Sequence, residues 1–192
     1  MKNIMFVRIF KAIGAFFLDF IETAVMALAI FVIIYLFLFQ PHQVKGNSML
    51  PSFRDKEYLL TNKIVYRLQS PQRGDVIIFQ APQNKKYDYI KRIIGLPGEE
   101  VGLKQGKIYV NDSLLDESAY LLPNTFTAGS SFLSESKKIT VPENSYFAVG
   151  DNRPHSSDSR EWGCIPQENI IGKAWFRYWP LSEAGLIAKI AL

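Results

Sequence analysis

The feature that most constrains this chain is an uncharged apolar run from Thr23 to Phe39, which reads TAVMALAIFVIIYLFLF. Seventeen helical residues at ~1.5 Å each give about 25 Å, slightly less than the ~30 Å hydrocarbon core of a bilayer. Adding residues 20–22, with Glu22 at an interface, extends the helix to about 30 Å. The run therefore predicts a single transmembrane anchor over residues 20–40.

Two other interpretations of this run are a buried core helix and a removable signal peptide. A core helix is disfavoured because no polar face interrupts the run. A signal peptide would fit the preceding basic residues Lys2, Arg8 and Lys11, but the run ends in Phe39-Gln40-Pro41-His42, without a small-x-small cleavage site. We therefore expect a retained anchor, preceded by an interfacial amphipathic helix over residues 1–19.

The charge pattern leaves the orientation of the anchor open, because Lys45, Arg54 and Lys56 after the run balance the three basic residues before it. The net charge of +4 suits a position near anionic lipid headgroups but is too weak and dispersed to indicate nucleic acid. The single cysteine excludes an intramolecular disulfide, and the two histidines are too few for most zinc sites. Composition says nothing about oligomeric state.

After Pro41 the sequence changes to short β-rich runs separated by turn signals such as Pro97-Gly98 and Gln105-Gly106. No long amphipathic helix interrupts them, so residues 41–192 are predicted to form a mainly β, sandwich or barrel-like domain. A variable insertion or subdomain is expected at about residues 100–147. The predicted strands are Glu57–Leu60, Asp75–Phe79, Lys107–Val110, Ile139–Val141, Tyr146–Val149 and Lys173–Tyr178.

Three segments contain candidate catalytic residues: Gly46–Phe53 (GNSMLPSF), Tyr89–Glu99 (YIKRIIGLPGE) and Gly150–Gly163 (GDNRPHSSDSREWG). Each has an ordinary structural explanation when taken alone. Ser48 would be a turn hydroxyl, and Lys91 would extend its ammonium into solvent from an apolar strand. The charged residues of the third segment would form a surface ion network around a loop: Asp151, Arg153, Asp158 and Arg160.

Taken together, these segments resemble the type I signal peptidases, bacterial serine proteases of the Ser-Lys class. Gly-x-Ser-Met-x-Pro, Tyr-Ile-Lys-Arg running into Gly-x-Pro-Gly, and Gly-Asp-Asn-Arg followed by Ser-x-Asp-Ser-Arg-x-Trp-Gly occur in the family's order. The resemblance implies a signal-peptidase-type β-rich catalytic domain on the outer face of the bacterial plasma membrane, attached by one membrane-spanning helix. It also implies secreted preproteins bearing signal peptides as substrates, and no cofactor or metal.

The resemblance implies a role for each matching residue. Ser48 corresponds to the nucleophile, Lys91 to its general base, and Ser156 to a serine whose hydroxyl holds the lysine amine. The supporting ion pairs would be Asp158 with Arg160 and Asp151 with Arg92. The residues expected to line pockets for small substrate side chains are Val44, Met49, Phe53, Tyr89 and Ile90.

Two positions depart from a common form of the family pattern. Gly46 stands where some members carry a serine that contributes to the oxyanion hole, so a backbone N–H is the expected second donor beside that of Ser48. Pro154-His155 replaces the Asp-Asn that is common after Gly-Asp-Asn-Arg. The replacement leaves Ser156 and the following charged residues in register.

A lysine can act as this base only when its amine is neutral. Lowering its pKa from ~10.4 to about 7 requires roughly 4–5 kcal/mol of destabilisation of the ammonium, which burial can supply. Tyr89, Ile90, Ile93 and Ile94 offer an apolar neighbourhood, and no histidine is well placed to serve instead. His42 is expected beside the membrane.

Three rival functions remain at this point. A sortase-like transpeptidase would use Cys164, although no flanking pattern supports a thiolate there. A membrane-tethered β domain without catalytic activity would bind partners, and a self-cleaving protein related to repressor-type proteases would need a DNA-binding module where this chain has its apolar run.

Overall fold

The structure, a computed structural model, describes residues 2–190 and 192, but not the side chains of residues 2–10, 12 and 36. The chain divides into two compact units, Met1–Phe39 and Gln40–Leu192.

The first unit is a helix, α1 (Lys2–Ile33), followed by a π-helical turn over Ile34–Leu38. Within it, Ile13–Ile33 is long and apolar enough to cross a membrane, with a mean hydropathy of 2.2 and none of its best window buried. This exposure disagrees with a buried core helix. The helix overlaps the expected anchor, but Phe39 and Gln40 belong to a strand. The amphipathic pattern expected over residues 1–19 depends largely on side chains outside the described residues.

The second unit is mainly antiparallel β-structure, as the sequence predicts. Its short helices are α2 (Val65–Leu68) and α3 (Ser159–Trp162), with 3₁₀ turns at Arg153–His155, Gln167–Asn169 and Leu181–Glu183. The strands are β1 (Phe39–Gln43), β2 (Tyr58–Asn62), β3 (Val76–Gln80), β4 (Asp88–Gly95), β5 (Glu100–Lys104), β6 (Lys107–Val110), β7 (Ser113–Leu114), β8 (Lys138–Thr140), β9 (Ser145–Val149), β10 (Ile165–Pro166), β11 (Ile170–Trp179) and β12 (Gly185–Leu186).

These strands form two sheets. The larger has the order β1-β2-β11-β3-β4-β9-β10, with β12 paired to β11, and the smaller has the order β7-β6-β5-β8. Neither sheet closes into a barrel within the described residues, so the sandwich alternative describes the unit better. The smaller sheet falls within residues 100–147, and the variability expected of that stretch stays a prediction.

Buried apolar residues of the larger sheet hold β4 and the loop between β1 and β2 in place. Strand β3 is buried along Val76–Phe79 because it lies between β11 and β4 and both of its faces are covered. Its residue Ile77 pairs with Lys91 of β4. One core cluster lies beneath the β1–β2 loop and consists of Val44, Met49, Phe53, Leu59, Val76, Ile78 and Ala174, with Ile90 packed against it.

Candidate active site

The loop that carries Ser48 is fixed at both ends by backbone hydrogen bonds. Val44 N donates to Glu57 O at 2.8 Å, and Lys56 N donates to Val44 O at 2.9 Å. Between these points Met49 is fully buried. The apolar residues of the loop therefore face the core and leave Ser48 at its surface end.

Gly46 helps to shape this loop, and its own N–H is not the second oxyanion donor that the sequence left unassigned. Its φ of 82° lies in the left-handed region that favours glycine. Its N–H donates to Asp55 Oδ1 at 2.8 Å. This amide is therefore engaged, whereas the Ser48 N–H makes no hydrogen bond among the described residues. Asp55 was missed by the sequence interpretation because no motif links it to Gly46.

Lys91 lies beside the Ser48 hydroxyl. Its Nζ is 2.8 Å from Ser48 Oγ and donates to Ile90 O at 3.0 Å. Only 4% of the residue is exposed. Burial lowers the pKa of Lys91 to about 8, with Arg160 contributing and the carboxylates of Asp158 and Asp151 acting in the opposite direction. At neutral pH about a tenth of such amines are unprotonated, enough to serve as a base.

Ser156 lies near these two residues but does not hold the lysine amine in this structure. Its Oγ is buried and has no hydrogen-bond partner among the described residues. The hydroxyl instead packs against Gly150, where a Cβ would approach it to 2.2 Å and would approach Ser48 O to 2.5 Å. The expected hydrogen bond from Ser156 to Lys91 is therefore not formed, because the hydroxyl is directed toward the Gly150 backbone.

The turn after β9 contacts the backbone of the Ser48 loop directly. Asn152 N donates to Ser48 O at 3.0 Å, and Asn152 Nδ2 donates to Asn47 O at 2.9 Å. These bonds join the third sequence segment to the first. The position of Ser48 therefore depends on the geometry of the Gly150–Asn152 turn.

Two ion pairs expected from the sequence support this turn. Asp151 accepts from Arg92 Nε at 2.9 Å and from Arg92 Nη2 at 2.6 Å. Asp158 accepts from Arg160 Nε and Nη2, each at 2.8 Å, and from Gly150 N at 3.0 Å. All four charged side chains are buried, and so is Arg153, so the surface ion network considered above is wrong.

A third ion pair, between Arg153 and Glu117, was missed. Arg153 is 2% exposed. It donates to Glu117, to Thr127 Oγ1 at 2.8 Å and to Gly150 O at 3.1 Å. Glu117 and Thr127 come from the stretch between β7 and β8, which contains no strand or helix. No local sequence signal in that stretch marked a partner for Arg153.

A groove of about 540 Å³ runs past the Ser48 hydroxyl. One wall is formed by residues 41–45 and the other by residues 86–91. Of the predicted pocket residues, Val44, Tyr89 and Ile90 line the groove. Met49 and Phe53 do not, because both are packed in the core below it, at 0% and 2% exposure.

The two histidines lie in different parts of the second unit, His42 on β1 and His155 in the 3₁₀ turn that follows β9. His42 lies in the groove wall, where its Nδ1 is 2.8 Å from Thr61 Oγ1 and its Nε2 is 3.3 Å from Asp88 Oδ2. Burial lowers its pKa, although Asp88 acts in the opposite direction. His155 is exposed on the turn.

Cys164 does not have the surroundings of a catalytic thiol. It packs against the apolar cluster around Phe147, and burial raises its pKa to about 11. A reactive cysteine requires a lowered thiol pKa, which stabilises the thiolate. The thiol transpeptidase alternative is therefore not supported. Among the residues that the structure describes, no group of three His, Cys, Asp or Glu side chains is arranged to hold a metal ion.

Residues 17–179 match the family described as signal peptidase, peptidase S26. Probable signal peptidase I-2 of Synechocystis sp. is 36% identical over 175 residues, covering 88% of this chain and 77% of that protein. Signal peptidase IB of Staphylococcus aureus is 36% identical over 177 residues, covering 86% and 91%. The crystal structure of a signal peptidase I from Enterococcus faecalis is 33% identical with a TM-score of 0.45, covering 55% of this chain and 97% of that one.

Proposed function

Because the chain belongs to the signal peptidase family, peptidase S26, and is therefore a serine endopeptidase, we propose that it removes N-terminal signal peptides from exported preproteins by Ser-Lys chemistry. In this proposal Ser48 is the nucleophile and Lys91 is the general base. The observation that carries it is the 2.8 Å separation of Lys91 Nζ and Ser48 Oγ, with the amine buried and its pKa lowered to about 8.

The reaction divides into two proton-balanced steps. The neutral Lys91 amine takes the proton of Ser48 as Oγ attacks the scissile carbonyl, and the resulting ammonium then protonates the leaving amine. This step leaves an acyl-enzyme and a neutral lysine. In the second step Lys91 takes a proton from a water molecule that attacks the ester, and it returns that proton to Ser48 Oγ as the acid product departs.

The Ser48 N–H is the proposed donor to the oxyanion of each tetrahedral intermediate. A donor of this kind typically contributes ~2.7–4 kcal/mol to transition-state stabilisation. The Ser48 amide makes no hydrogen bond among the described residues, whereas the Gly46 amide donates to Asp55. Asn152 holds the carbonyl of Ser48 and so fixes the orientation of the adjoining peptide groups.

The groove suits an extended peptide with small side chains near the cleaved bond. Val44 and Ile90 line it together with Ser48, and their apolar side chains suit the small-x-small motif at the end of a signal peptide. Tyr89 lies on the same wall of the groove as Ile90.

The membrane attachment proposed here is a single pass through the bacterial plasma membrane, with the catalytic unit on the outer face. Ile13–Ile33 has the length and hydropathy required of the span. Ser48 follows Phe39 by only nine residues, which extend to at most about 30 Å. The nucleophile therefore stays near the bilayer surface, where the cleavage site of a membrane-inserted signal peptide emerges.

The test is cleavage of a preprotein with an Ala-x-Ala site by the full-length protein in detergent. We expect Ser48→Ala and Lys91→Met each to abolish cleavage, while Cys164→Ala and the matched lysine control Lys189→Met remain active. Lys189 is suitable because, among the residues that the structure describes, its Nζ donates only to Gln72. Substantial activity of Lys91→Met would show that the base is misassigned, and activity of Ser48→Ala would exclude the proposed nucleophile.

A further inference from the structure

A second set of contacts holds the Ser48 loop from outside the groove. Arg177 of β11 donates from Nη2 to the backbone oxygen of Ser52 at 2.8 Å. Its guanidinium carbon lies 5.1 Å from the centre of the Phe53 ring, a cation–π contact. Ser52 and Phe53 follow the nucleophile by four and five residues. The groove walls come from residues 41–45 and 86–91, so Arg177 acts on the loop without forming part of either wall.

The backbone of the loop connects the Arg177 contact to Ser48. Phe53 N donates to Met49 O at 2.9 Å, which closes a turn that begins next to the nucleophile. The side chains of Met49 and Phe53 are both buried in the core cluster beneath the loop. The turn therefore moves as one piece, and a bond to Ser52 O at its end restrains Ser48 at its start.

Ser52 is also bonded from the strand that carries the proposed general base. Arg92 Nη2 lies 3.3 Å from Ser52 Oγ, and Arg92 directly follows Lys91 in β4. Adjacent side chains of a strand point to opposite faces, so Lys91 meets the loop at Ser48 while Arg92 meets it at Ser52. The hydroxyl of Ser52 is thus held relative to β4, and its carbonyl is held relative to β11 by Arg177.

Two carboxylates orient the Arg177 side chain for this contact. Nη1 donates to Glu57 Oε1 at 3.2 Å and to Glu183 Oε2 at 2.6 Å. With Nη1 bonded to both carboxylates, Nη2 of the same planar group is directed at the carbonyl of Ser52. A lysine ammonium presents its donors from one atom and cannot reproduce this fork.

We propose that Arg177 is a positioning residue of the active site, which holds the Ser52 carbonyl and so keeps Ser48 Oγ within hydrogen-bond distance of Lys91 Nζ. The inference rests on the proposed function, because it assigns a further residue to the same reaction. Without the guanidinium, the Ser52 carbonyl loses this donor, and the 2.8 Å separation of Oγ and Nζ loses its support from β11. A nucleophile displaced by about 1 Å can react about 100-fold more slowly.

The test compares full-length wild-type enzyme with Arg177→Met, Arg177→Lys and the control Arg54→Met in detergent, on a peptide with an Ala-x-Ala site. Arg54 is a matched control because it also pairs with Glu183 but is 67% exposed. We expect Arg177→Met to lower kcat by about 100-fold and KM to change by less than about twofold, since the groove walls are untouched. Arg177→Lys keeps the charge but should restore little of kcat, and Arg54→Met should retain wild-type kinetics.

A double variant separates positioning from charge balance. Arg177→Met leaves the buried Glu57 carboxylate without this partner, which by itself destabilises the fold. Adding Glu57→Gln removes the buried charge, so the double variant should recover most of the lost Tm and none of the lost kcat. Recovery of both would show that Arg177 serves stability alone and would overturn the positioning role.

Hydrogen exchange read by mass spectrometry gives a local measure that does not depend on catalysis. Arg177→Met should accelerate amide exchange in residues 46–56 and leave exchange in residues 75–95 unchanged, because the loop is loosened while β3 and β4 are not. Unaltered exchange in the loop, or a wild-type kcat in Arg177→Met, would overturn the positioning role and leave the proposed function standing. Failure of wild-type enzyme to cleave any Ala-x-Ala peptide would instead overturn the proposed function, and this inference with it.

Discussion

Lys91 shows how burial alters the chemistry of one side chain. The lysine is 4% exposed and its pKa is lowered to about 8. As the neutral amine is the proposed base, we expect kcat/KM to rise with pH from 6 to 9 and to level off above an apparent pKa near 8. The measurement is a pH–rate profile on a small-x-small peptide. A rise completed below pH 7 would indicate a different base.

The same lysine should reduce the stability of the fold at neutral pH. Its pKa falls from 10.5 to about 8, and about 2.5 pKa units at ~1.4 kcal/mol each correspond to about 3 kcal/mol, as an upper bound. Between these two pKa values the unfolded chain binds more protons than the folded one, so the free energy of unfolding rises with pH. Below pH 8 the destabilisation is present in full.

Replacing Lys91 with methionine should therefore stabilise the protein while abolishing its activity. We expect a higher Tm than wild type at pH 7 and a smaller advantage at pH 10, where the wild-type amine is already neutral. Thermal unfolding in detergent at both pH values measures this. Lys189→Met removes an exposed ammonium and should not raise the Tm at pH 7. An equal advantage of Lys91→Met at both pH values would contradict the assignment to a buried charge.

At the scale of elements, the turn after β9 positions the nucleophile loop by close backbone approach. A Cβ on Gly150 would lie 2.5 Å from Ser48 O, whereas a Cβ on Gly185 would meet nothing within 4 Å. Gly150→Ala should therefore displace Ser48 and lower kcat by about 100-fold, the typical cost of a misplacement near 1 Å. Gly185→Ala should retain wild-type kinetics. Peptide cleavage measures both, and an active Gly150→Ala would show that the two loops move independently.

The buried ion pair between Arg92 of β4 and Asp151 should contribute far more to stability than an exposed pair. Arg92 and Asp151 have side-chain exposures of 2% and 1%, whereas Arg54, paired with Glu183, is 67% exposed. Asp151→Ala leaves a buried guanidinium without its carboxylate and should cost about 3–5 kcal/mol. Arg54→Ala should cost about 1 kcal/mol or less. Denaturant unfolding in detergent compares them, and similar losses for both would contradict this explanation.

Local sequence signals predicted the strands but could not predict their order. The alternation and turn residues around Asp75–Phe79 or Lys173–Tyr178 are properties of short segments, and both fall on strands of the structure. The placement of β11 between β2 and β3 depends on contacts between distant segments. For the same reason, no sequence pattern indicated that Glu117 pairs with Arg153, or that Asp55 accepts a hydrogen bond from the Gly46 N–H.

In the candidate site, too, local sequence signals predicted some features and not others. The motifs indicated that Ser48 should lie beside Lys91, and the structure brings them together, but the motifs carry no information on which side of a loop each residue faces. Met49 and Phe53 were therefore assigned to the pocket although they lie in the core. Ser156 was expected to bond Lys91, yet its hydroxyl is directed to Gly150.

At the scale of the whole molecule, the interior of the second unit is built from its own residues. The three apolar clusters that form its core all draw on residues from Val44 onward. In the first unit, the apolar side chains from residue 13 to 35 are exposed. A domain with its own core can fold alone.

A fragment that begins at Gln40 should consequently fold and retain the chemistry of Ser48 and Lys91, but lose its advantage on membrane-bound substrates. Attachment to the bilayer confines enzyme and signal peptide to the same surface and so raises their effective concentration. We expect a cooperative unfolding transition and near wild-type cleavage of a soluble peptide, with much slower processing of a preprotein inserted in lipid vesicles. A Ser48→Ala fragment provides the background for both assays. If the fragment lacked a cooperative transition, the second unit would depend on the first for folding. If the fragment processed the vesicle-bound preprotein as fast as the full chain, the apolar helix would have no part in bringing enzyme and substrate together.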